Sequence, residues 1–425
     1  MTQKTEAQTA EITMRRAIRL GLPAVLLAIP GTTVALYLPK YFGLDMGLGL
    51  AVVGLVFAMA RVVDILLDPV MGHLSDRTRS RFGPRVPWML AALGPLLIAS
   101  FLLTHPPAPV GLIYLSAAIL LHYVSWTMLD IPFASIALET GRTATERVRL
   151  SSGVALCQLI GVLLVALVPT VLGLTTSDAV PLIPWMLGLM MVLLVPIFLP
   201  IAPRAHTAPP KAEGLLRAYR AVLRRAPIRR IVFAFVLSMG ANAFVSAQIV
   251  LYVEFRVLAE VGAAPFFLIG FLASGLALPL VLWGAKRLGR KRTWQISLWI
   301  AILALLCIGT GAMIPFTIGM ILFGASLAAD AVIPNALLAD EITTAQKDNA
   351  APLAGRVRAC KNASQKMTTF GPMLIGLPLL DWAGVDPGGT GTAFTQPALV
   401  VSVIVIPLML KLGTLWASTR IIESR

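Results

Sequence analysis

Long runs of apolar residues, separated by short polar stretches, make up most of the chain. Each run approaches the roughly 20 residues that an α-helix needs to cross the hydrocarbon core of a bilayer. The runs fall at positions 20–38, 48–74, 87–104, 110–138, 151–174, 181–202, 230–253, 262–285, 294–312, 315–339, 360–380 and 395–417. The pattern predicts an all-α membrane protein with twelve transmembrane helices, which we number as spans one to twelve.

A polar stretch after the sixth run divides the chain into two parts. Residues 204–229 contain two adjacent prolines and seven Lys and Arg residues, and they form the longest polar break between spans. We therefore expect an N-terminal six-helix bundle over residues 1–203, a basic cytoplasmic linker over 204–229 and a C-terminal six-helix bundle over 230–425.

A short internal repeat supports this division. The segment Ile131–Glu139 ends span four and the segment Ile333–Glu341 ends span ten, and five of their nine positions are identical. A second, weaker repeat places Gly72 and Gly284 ahead of basic runs in the two halves. Two parallel six-helix repeats related by an axis along the membrane normal are typical of the major facilitator fold.

Composition and charge agree with a membrane location. Only 13% of the residues are charged, whereas a soluble domain has about 25%. Of the 35 Lys and Arg residues, 30 lie in alternate connections or at the termini. This distribution follows the positive-inside rule and predicts cytoplasmic termini in an inner (plasma) membrane protein. The net charge of +15 is then a consequence of topology, and we expect no nucleic-acid partner.

Ionisable residues within spans two and four indicate a functional site, because a charge in the membrane costs at least about 2.5–3.5 kcal/mol. Arg61, Asp64 and Asp68 share one face of span two. Thr127 and Asp130 share a face of span four. Three carboxylates, one hydroxyl and one guanidinium carry surplus negative charge, so we expect a small cation or a proton to bind here.

Spans seven, ten and eleven add further polar candidates. We include Asn242, Gln248, Asp330 and Lys366, together with Arg61, as predicted substrate-binding residues. Two structural alternatives stay open at this stage. The charges can form a salt-bridge network that only holds helices together, and Asp330 can pair with Lys366 to lock span ten to span eleven.

Several motifs resemble those of the glycoside–pentoside–hexuronide:cation symporters, the melibiose-permease group of the major facilitator superfamily. The matching segments are the run from Arg61 to Gly72, its continuation from Asp76 to Trp88, the Asp130-Ile131-Pro132-Phe133 motif, Ala339-Asp340 and Lys366. The resemblance covers the whole chain at the level of architecture and is most specific in spans two to four.

The resemblance implies roles for individual residues. It assigns a Na⁺ site to Asp64, Asp68 and Asp130 with the hydroxyl of Thr127. It also implies that Arg61 and Lys366 belong to a polar network that joins the two halves. A cytoplasmic gate of charge contacts is expected at Asp76, Arg77, Arg79, Arg81, Arg85, Glu139, Asp340 and Glu341.

Three positions depart from the family pattern. Leu67 stands where an Asn often supplies an oxygen, which leaves both Na⁺ and H⁺ as candidate coupling ions. Span one contains no acid, and Ala24 lies near the place of the sugar-binding Asp. Ala134 replaces the Trp that packs against sugar in the family. The cation site is therefore expected to be intact, whereas the usual anchors of a sugar are missing.

These observations favour a cation-coupled symporter for a glycoside, hexuronide or other sugar-like solute. One alternative is a transporter of an anionic amphiphile such as a lysophospholipid, held by Arg61 and Lys366. The other is a non-transporting membrane assembly or sensor protein. No metalloprotease, nucleophile-elbow or nucleotide-binding motif is present, so we expect no enzyme activity. We expect a monomer in the lipid bilayer, with a solute and a coupling ion as ligands and no cofactor.

Overall fold

The computed structural model describes residues 12–141, 143–203, 220, 224–259, 262–347, 353–385 and 392–421, and every regular element in them is a helix. Within these residues, ten helices are long and apolar enough to cross a membrane. The pair Met14–Gly21 and Pro23–Leu36, bent by 44°, forms an eleventh candidate. The all-helical membrane architecture is thus confirmed, and length and composition recognise ten or eleven of the twelve predicted spans among the described residues.

The helices follow the predicted spans closely. In the N-terminal half they are Met14–Gly21 with Pro23–Leu36 (span one), Leu50–Arg77 (two), Val86–Thr104 (three), Leu112–Thr140 (four), Ala144–Leu172 (five) and Ile183–Phe198 (six). In the C-terminal half they are Ala226–Tyr252 (seven), Ala264–Arg287 (eight), Arg290–Gly309 (nine), Met313–Lys347 (ten), Leu353–Met367 with Leu377–Trp382 (eleven) and Thr395–Val400 with Ile406–Thr419 (twelve).

Span eleven explains the difference in count. Its first helix, Leu353–Met367, carries four basic residues, and a π-helix at Pro372–Gly376 separates it from the helix that ends at Trp382. Such a polar and interrupted segment does not have the composition of an ordinary membrane helix. Of the predicted linker, residues 204–219 and 221–223 lie outside the described part of the chain, and span seven begins at Ala226, one turn before the predicted boundary.

The first spans of the two halves end in the same unusual way. Span one runs into a π-helix at Tyr41–Asp45, and span seven runs into a π-helix at Val253–Val257. The two π-helices are as far apart in sequence as Gly72 and Gly284, which the sequence pairs as a repeat. This agreement supports the expected internal repeat at the level of local backbone geometry.

Small residues allow the closest helix contacts. At Gly21 of span one, an added Cβ would overlap the backbone of Gly153 in span five. An added Cβ at Gly153 would likewise overlap the backbone of Ala17 in span one. At Gly54 of span two, a Cβ would overlap the carbonyl oxygen of Met373 next to span eleven. Lipid provides little hydrophobic drive between helices, so this backbone-to-backbone packing is a main source of helix association.

The bundle has a basic end, which carries Arg77, Arg85 and Arg290, and an opposite end, where several contacts join the halves. At the opposite end Lys40 of span one lies 3.1 Å from Asp45 and 3.1 Å from Glu254, which follows span seven. Its ammonium also donates to Ser177 at 3.1 Å. Lys40 is 7% exposed, whereas the side chain of Glu254 is 42% exposed, so water reaches this ion pair from the Glu254 side.

A second contact at the opposite end involves the first turn of span two. The Leu50 backbone N–H donates to the carboxylate of Asp381, at the end of span eleven, over 2.7 Å. A carboxylate at a helix N-terminus satisfies an unpaired N–H and favours the helix dipole. Asp381 therefore caps a helix of the other half.

We predict that Asp381→Ala shifts the molecule towards states in which the opposite end is open. Loss of a helix cap costs about 0.5–2 kcal/mol, enough to change the populations of two states severalfold. Spin labels at Met46 and Trp382 should report a longer separation in the variant. Asp178→Ala is the matched control, because Asp178 pairs with Thr175 inside its own half. An unchanged distance distribution in Asp381→Ala would contradict the prediction.

Candidate functional site

The centre of the site is Asp64 in span two. Its carboxylate is fully buried and accepts a hydrogen bond from Thr127 Oγ1 of span four at 2.7 Å. The guanidinium of Arg61, one turn earlier in the same helix, donates to its other oxygen at 3.1 Å. The sequence places these three residues near one another, and the structure joins them directly.

Lys366 of span eleven brings the second half of the chain into the same cluster. Its Nζ lies 3.0 Å from Asp64 Oδ2 and 2.7 Å from Asp68 Oδ1. Both aspartates belong to span two, so Lys366 forms an ionic link between the halves. The side chains of Lys366 and Asp68 are 16% and 22% exposed, whereas Asp64 is enclosed.

Asp130 differs from the other two acids. It lies within electrostatic range of Lys366, Asp68 and Asp64, but its carboxylate makes no ion pair or hydrogen bond with the described residues. Its side chain is partly exposed. The cluster therefore has one carboxylate more than it has cations, and that carboxylate is the unpaired one.

The three acids do not form a ready-made metal site in this conformation. Within the described residues, no group of three acidic, His or Cys side chains is close enough to hold a metal ion. The predicted set of Na⁺ ligands, Asp64, Asp68 and Asp130, is therefore not assembled. The physical reason is that Lys366 and Arg61 already neutralise Asp64, and Lys366 also neutralises Asp68.

Arg61 also contacts an aromatic side chain of span four. Its guanidinium lies over the ring of Tyr123, 4.6 Å from the ring centroid. Tyr123 is only 2% exposed. A cation over an aromatic face is favourable when both are removed from water, so Arg61 is held from two sides.

Asp330 belongs to a separate network inside the C-terminal half. It is 1% exposed and accepts hydrogen bonds from Ser238, Asn242 and Trp294 at 2.8, 3.0 and 2.8 Å. Its ionic partner is Lys411 of span twelve, at 2.6 Å. The expected alternative pairing of Asp330 with Lys366 is therefore wrong, because Lys366 reaches across to span two.

Sequence reasoning missed Lys411. A signal for it was present, because Lys411 is one of five Lys and Arg residues that lie outside the basic connections. The others are Lys40, Arg61, Arg256 and Lys366. A cation that does not serve topology needs a buried partner, and Asp330 is the acid of span ten that supplies it.

Asn242 and Gln248 are not exposed to a solute cavity in this conformation. The Asn242 amide donates to Asp330, and its Oδ1 is buried without a partner. Gln248 is fully buried and accepts a hydrogen bond from Ser402 of span twelve. Its amide also lies against Gly376, where a Cβ would overlap it. The role of these two residues and of Asp330 as substrate contacts stays a prediction.

The residues of the predicted gate lie at the basic end. Arg85 is buried and pairs with Asp76, and it donates to Ser75 at 2.7 Å. In the C-terminal half, Arg290 at the start of span nine pairs with Asp340 at the end of span ten. Both ion pairs stay within one half, and each joins two consecutive spans of its own bundle.

Three of the remaining gate residues are exposed to solvent. Arg77, Arg79 and Arg81 are exposed, and Arg81 stacks over Phe82 with 4.7 Å to the ring centroid. Glu341 is half-buried beside Asp340. The side chain of Glu139 lies outside the described residues. Whether these charges close the basic end stays a prediction.

A family comparison agrees with this arrangement of helices and charges. The model of the family described as MFS/sugar transport protein matches residues 20–421, nearly the whole chain. The chain belongs to this family. It is a membrane transporter of the major facilitator superfamily and not an enzyme, as the sequence motifs predict.

Related proteins are named as symporters or sugar transporters. The isoprimeverose transporter of Lactiplantibacillus pentosus is 25% identical over 88% of this chain and 82% of its own length. The uncharacterized symporter YnaJ of Bacillus subtilis is 25% identical over 65% of this chain and 62% of its own. The inner membrane symporter YicJ of Escherichia coli is 32% identical, over 28% of this chain and 26% of its own. The YnaJ and YicJ alignments thus span less than two thirds of those proteins.

Solved structures support the fold. Two crystal structures of the nucleoside transporter NupG superpose with TM-scores of 0.69 and 0.65 and cover 97% of this chain and 100% of NupG. The sequence identity is 14%, so this likeness extends to the fold alone.

We predict that the Asp330–Lys411 pair is structural. Asp330→Asn or Lys411→Met should each lower the melting temperature of the purified protein, because breaking a buried ion pair costs about 3–5 kcal/mol. The double variant should regain most of that stability and retain uptake. If the double variant is as stable as the parent but loses solute binding, Asp330 contacts the solute as the sequence analysis expects.

Proposed function

We propose that this protein is a cation-coupled symporter that moves a sugar-like solute across the inner membrane by alternating access. The basic end faces the cytoplasm in this proposal, in agreement with the positive-inside distribution of Lys and Arg. The observation that carries it is the ionic link from Lys366 to Asp64 and Asp68, next to the unpaired Asp130.

The charge balance supports a single monovalent coupling ion. Asp64, Asp68 and Asp130 carry three negative charges against the two positive charges of Arg61 and Lys366. One Na⁺ or H⁺ makes the cluster neutral, and neutrality favours any step that moves the cluster through a low-dielectric environment. We infer that the ion binds between Asp130 and Asp68, the two acids with exposed surface.

The position of Lys366 supplies a mechanism for coupling. An ion at Asp68 competes with the Lys366 ammonium, which now lies 2.7 Å from that carboxylate. Ion binding then weakens a link between the halves, and the solute binds to the cavity between them. Because each ligand changes the same equilibrium between states, each binds better when the other is present.

Two observations favour a sugar-like solute: the names of the relatives, and the aspartate partners that already neutralise Arg61 and Lys366. The isoprimeverose transporter aligns with most of this chain, so a disaccharide is the first solute to test. The alternative of an anionic amphiphile depends on Arg61 and Lys366 as anion anchors. Both cations have aspartate partners within 3.1 Å, which argues against that role.

We predict that Asp130→Asn abolishes cation-stimulated uptake of isoprimeverose in membrane vesicles. The variant removes the surplus negative charge, so the cluster no longer needs a coupling ion. Asp178→Asn, a change of an exposed acid at the opposite end, should behave as the parent. Cation-stimulated uptake that persists at parental rates in Asp130→Asn would refute the proposed ion site. If the parent takes up no sugar in response to a Na⁺ or H⁺ gradient, the proposed function is wrong.

We predict that Lys366→Met binds the coupling ion more tightly and loses coupling to the solute. The variant removes the competing ammonium and changes the net charge of the cluster from −1 to −2. Titration of thermal stability with Na⁺ at fixed pH, and with pH at fixed Na⁺, measures the apparent affinity. An affinity about tenfold higher is expected from a repulsion of about 1.4 kcal/mol. A weaker ion affinity would contradict competition by Lys366.

We predict that Leu67→Asn increases the response to Na⁺ relative to H⁺. Leu67 lies between Asp64 and Asp68 on span two, and an amide oxygen there would add a ligand to a Na⁺ shell. Leu66→Asn is the matched control, since Leu66 is 63% exposed on the outer face of the same helix turn. Equal Na⁺ responses in the two variants would contradict the prediction.

A further inference from the structure

An apolar cavity lies inside the N-terminal bundle, near the basic end. Its volume is about 330 Å³, and every residue that lines it is apolar. Buried residues of spans one, three, four and six form its floor, among them Pro23, Leu26 and Leu129. Half-buried residues of spans three and six form its rim, namely Leu90, Leu93, Leu194 and Val195. Since exposed apolar side chains such as Leu193 and Ile197 flank this rim, the cavity opens towards lipid.

The first helix of span one carries a basic face that leads into this cavity. Its three arginines, Arg15, Arg16 and Arg19, are all exposed. At about 100° per residue, Arg15 and Arg19 lie within about 80° of Pro23 and Leu26 around the helix axis. The opposite side of the same helix packs on span five. The basic face therefore continues into the apolar cavity across the 44° bend between the two helices of span one.

Arg15 and Arg19 are accessible to an anion from outside the protein. Within the described part of the chain, neither guanidinium has an ion-pair partner. The positive-inside rule explains why arginines lie at this end of the bundle, but it sets no direction around the helix axis. Their alignment with the cavity therefore needs a second reason. A ligand with an anionic group at the membrane surface and an apolar chain below it satisfies both features.

We propose that this basic face and the cavity together form a binding site for an anionic phospholipid of the leaflet at the basic end. Arg15 and Arg19 pair with the phosphate group, because a guanidinium donates two parallel hydrogen bonds to phosphate oxygens. One acyl chain enters between spans three and six and packs against the apolar walls. Basic residues next to a membrane helix favour anionic lipids over zwitterionic ones. The bound lipid joins the start of span one to spans three and six, apart from the ion cluster.

The headgroup test follows the melting temperature of the purified full chain in detergent during titration with dioleoyl phosphatidylglycerol or dioleoyl phosphatidylethanolamine. The two lipids share their acyl chains and differ in net charge, so phosphatidylglycerol should stabilise the parent at an about tenfold lower concentration. Arg15→Gln combined with Arg19→Gln should abolish this preference. Lys286→Gln combined with Arg287→Gln is the matched control and should retain it, because it removes two exposed charges from the basic end of span eight.

The cavity test uses Leu93→Trp, which fills the cavity from its rim. This variant should need an about tenfold higher concentration of either lipid, because the acyl chain loses apolar contact. Ile98→Trp, at a position 56% exposed on the same helix, should titrate as the parent. Parental titration of Leu93→Trp would overturn the acyl-chain site. Equal stabilisation of the parent by the two lipids, or loss of the preference in the Lys286 and Arg287 control, would overturn the proposal, since no specific headgroup contact would then exist.

Discussion

The cost of an unpaired charge in the membrane is the constraint on which the rest of this structure depends. Thirty Lys and Arg residues lie in connections and at the termini, and five lie elsewhere. Each of the five has partners in the structure: Lys40 with Asp45 and Glu254, Arg61 with Asp64, Arg256 with Tyr252 and Gln396, Lys366 with Asp64 and Asp68, and Lys411 with Asp330. Since a lone charge at the bilayer centre costs at least about 2.5–3.5 kcal/mol, the Lys366 pairs favour contact of span eleven with span two, and the Lys411 pair favours contact of span twelve with span ten. The charges therefore determine helix arrangement as well as chemistry.

The two halves satisfy this constraint in different ways. In the C-terminal half, the carboxylate of Asp330 is matched by Lys411 and by three hydrogen-bond donors, and all of them are buried. The Asp330 carboxylate itself is thus fully satisfied, and it gives no reason to rearrange. In the N-terminal half, Asp130 has no partner among the described residues, and Asp68 depends on a cation from the other half. The N-terminal cluster is consequently the one whose charge state can change when a ligand arrives.

The sequence predicts the spans and the shared helix face of Arg61, Asp64 and Asp68 well, because both depend on the pattern of residue types along the chain. Runs of apolar residues predict membrane crossing, and the spacing of Arg61, Asp64 and Asp68 predicts a shared helix face. The pattern of residue types does not predict contacts between distant segments. The pairing of Asp330 with Lys411, and the buried setting of Gln248 against Gly376, depend on how spans seven, ten, eleven and twelve pack. The interruption of span eleven likewise depends on a π-helix at Pro372–Gly376, which hydropathy alone does not locate.

Arg61 and Lys366, the two cations that pair with Asp64, are suited to different tasks. Arg61 pairs with Asp64 three residues away in the same helix, and its planar guanidinium also stacks on Tyr123, so it moves with span two as one body. Lys366 belongs to the other half and reaches Asp64 and Asp68 with a flexible side chain and a compact charge. In the proposed mechanism, a rocking motion of the halves would leave the Arg61 contacts intact and change those of Lys366. A small cation can replace an ammonium at a carboxylate, whereas it does not reproduce the two-sided contact of the guanidinium. In the proposed symport mechanism, exchange at the lysine is therefore the step at which ion binding would act on the relative position of the halves.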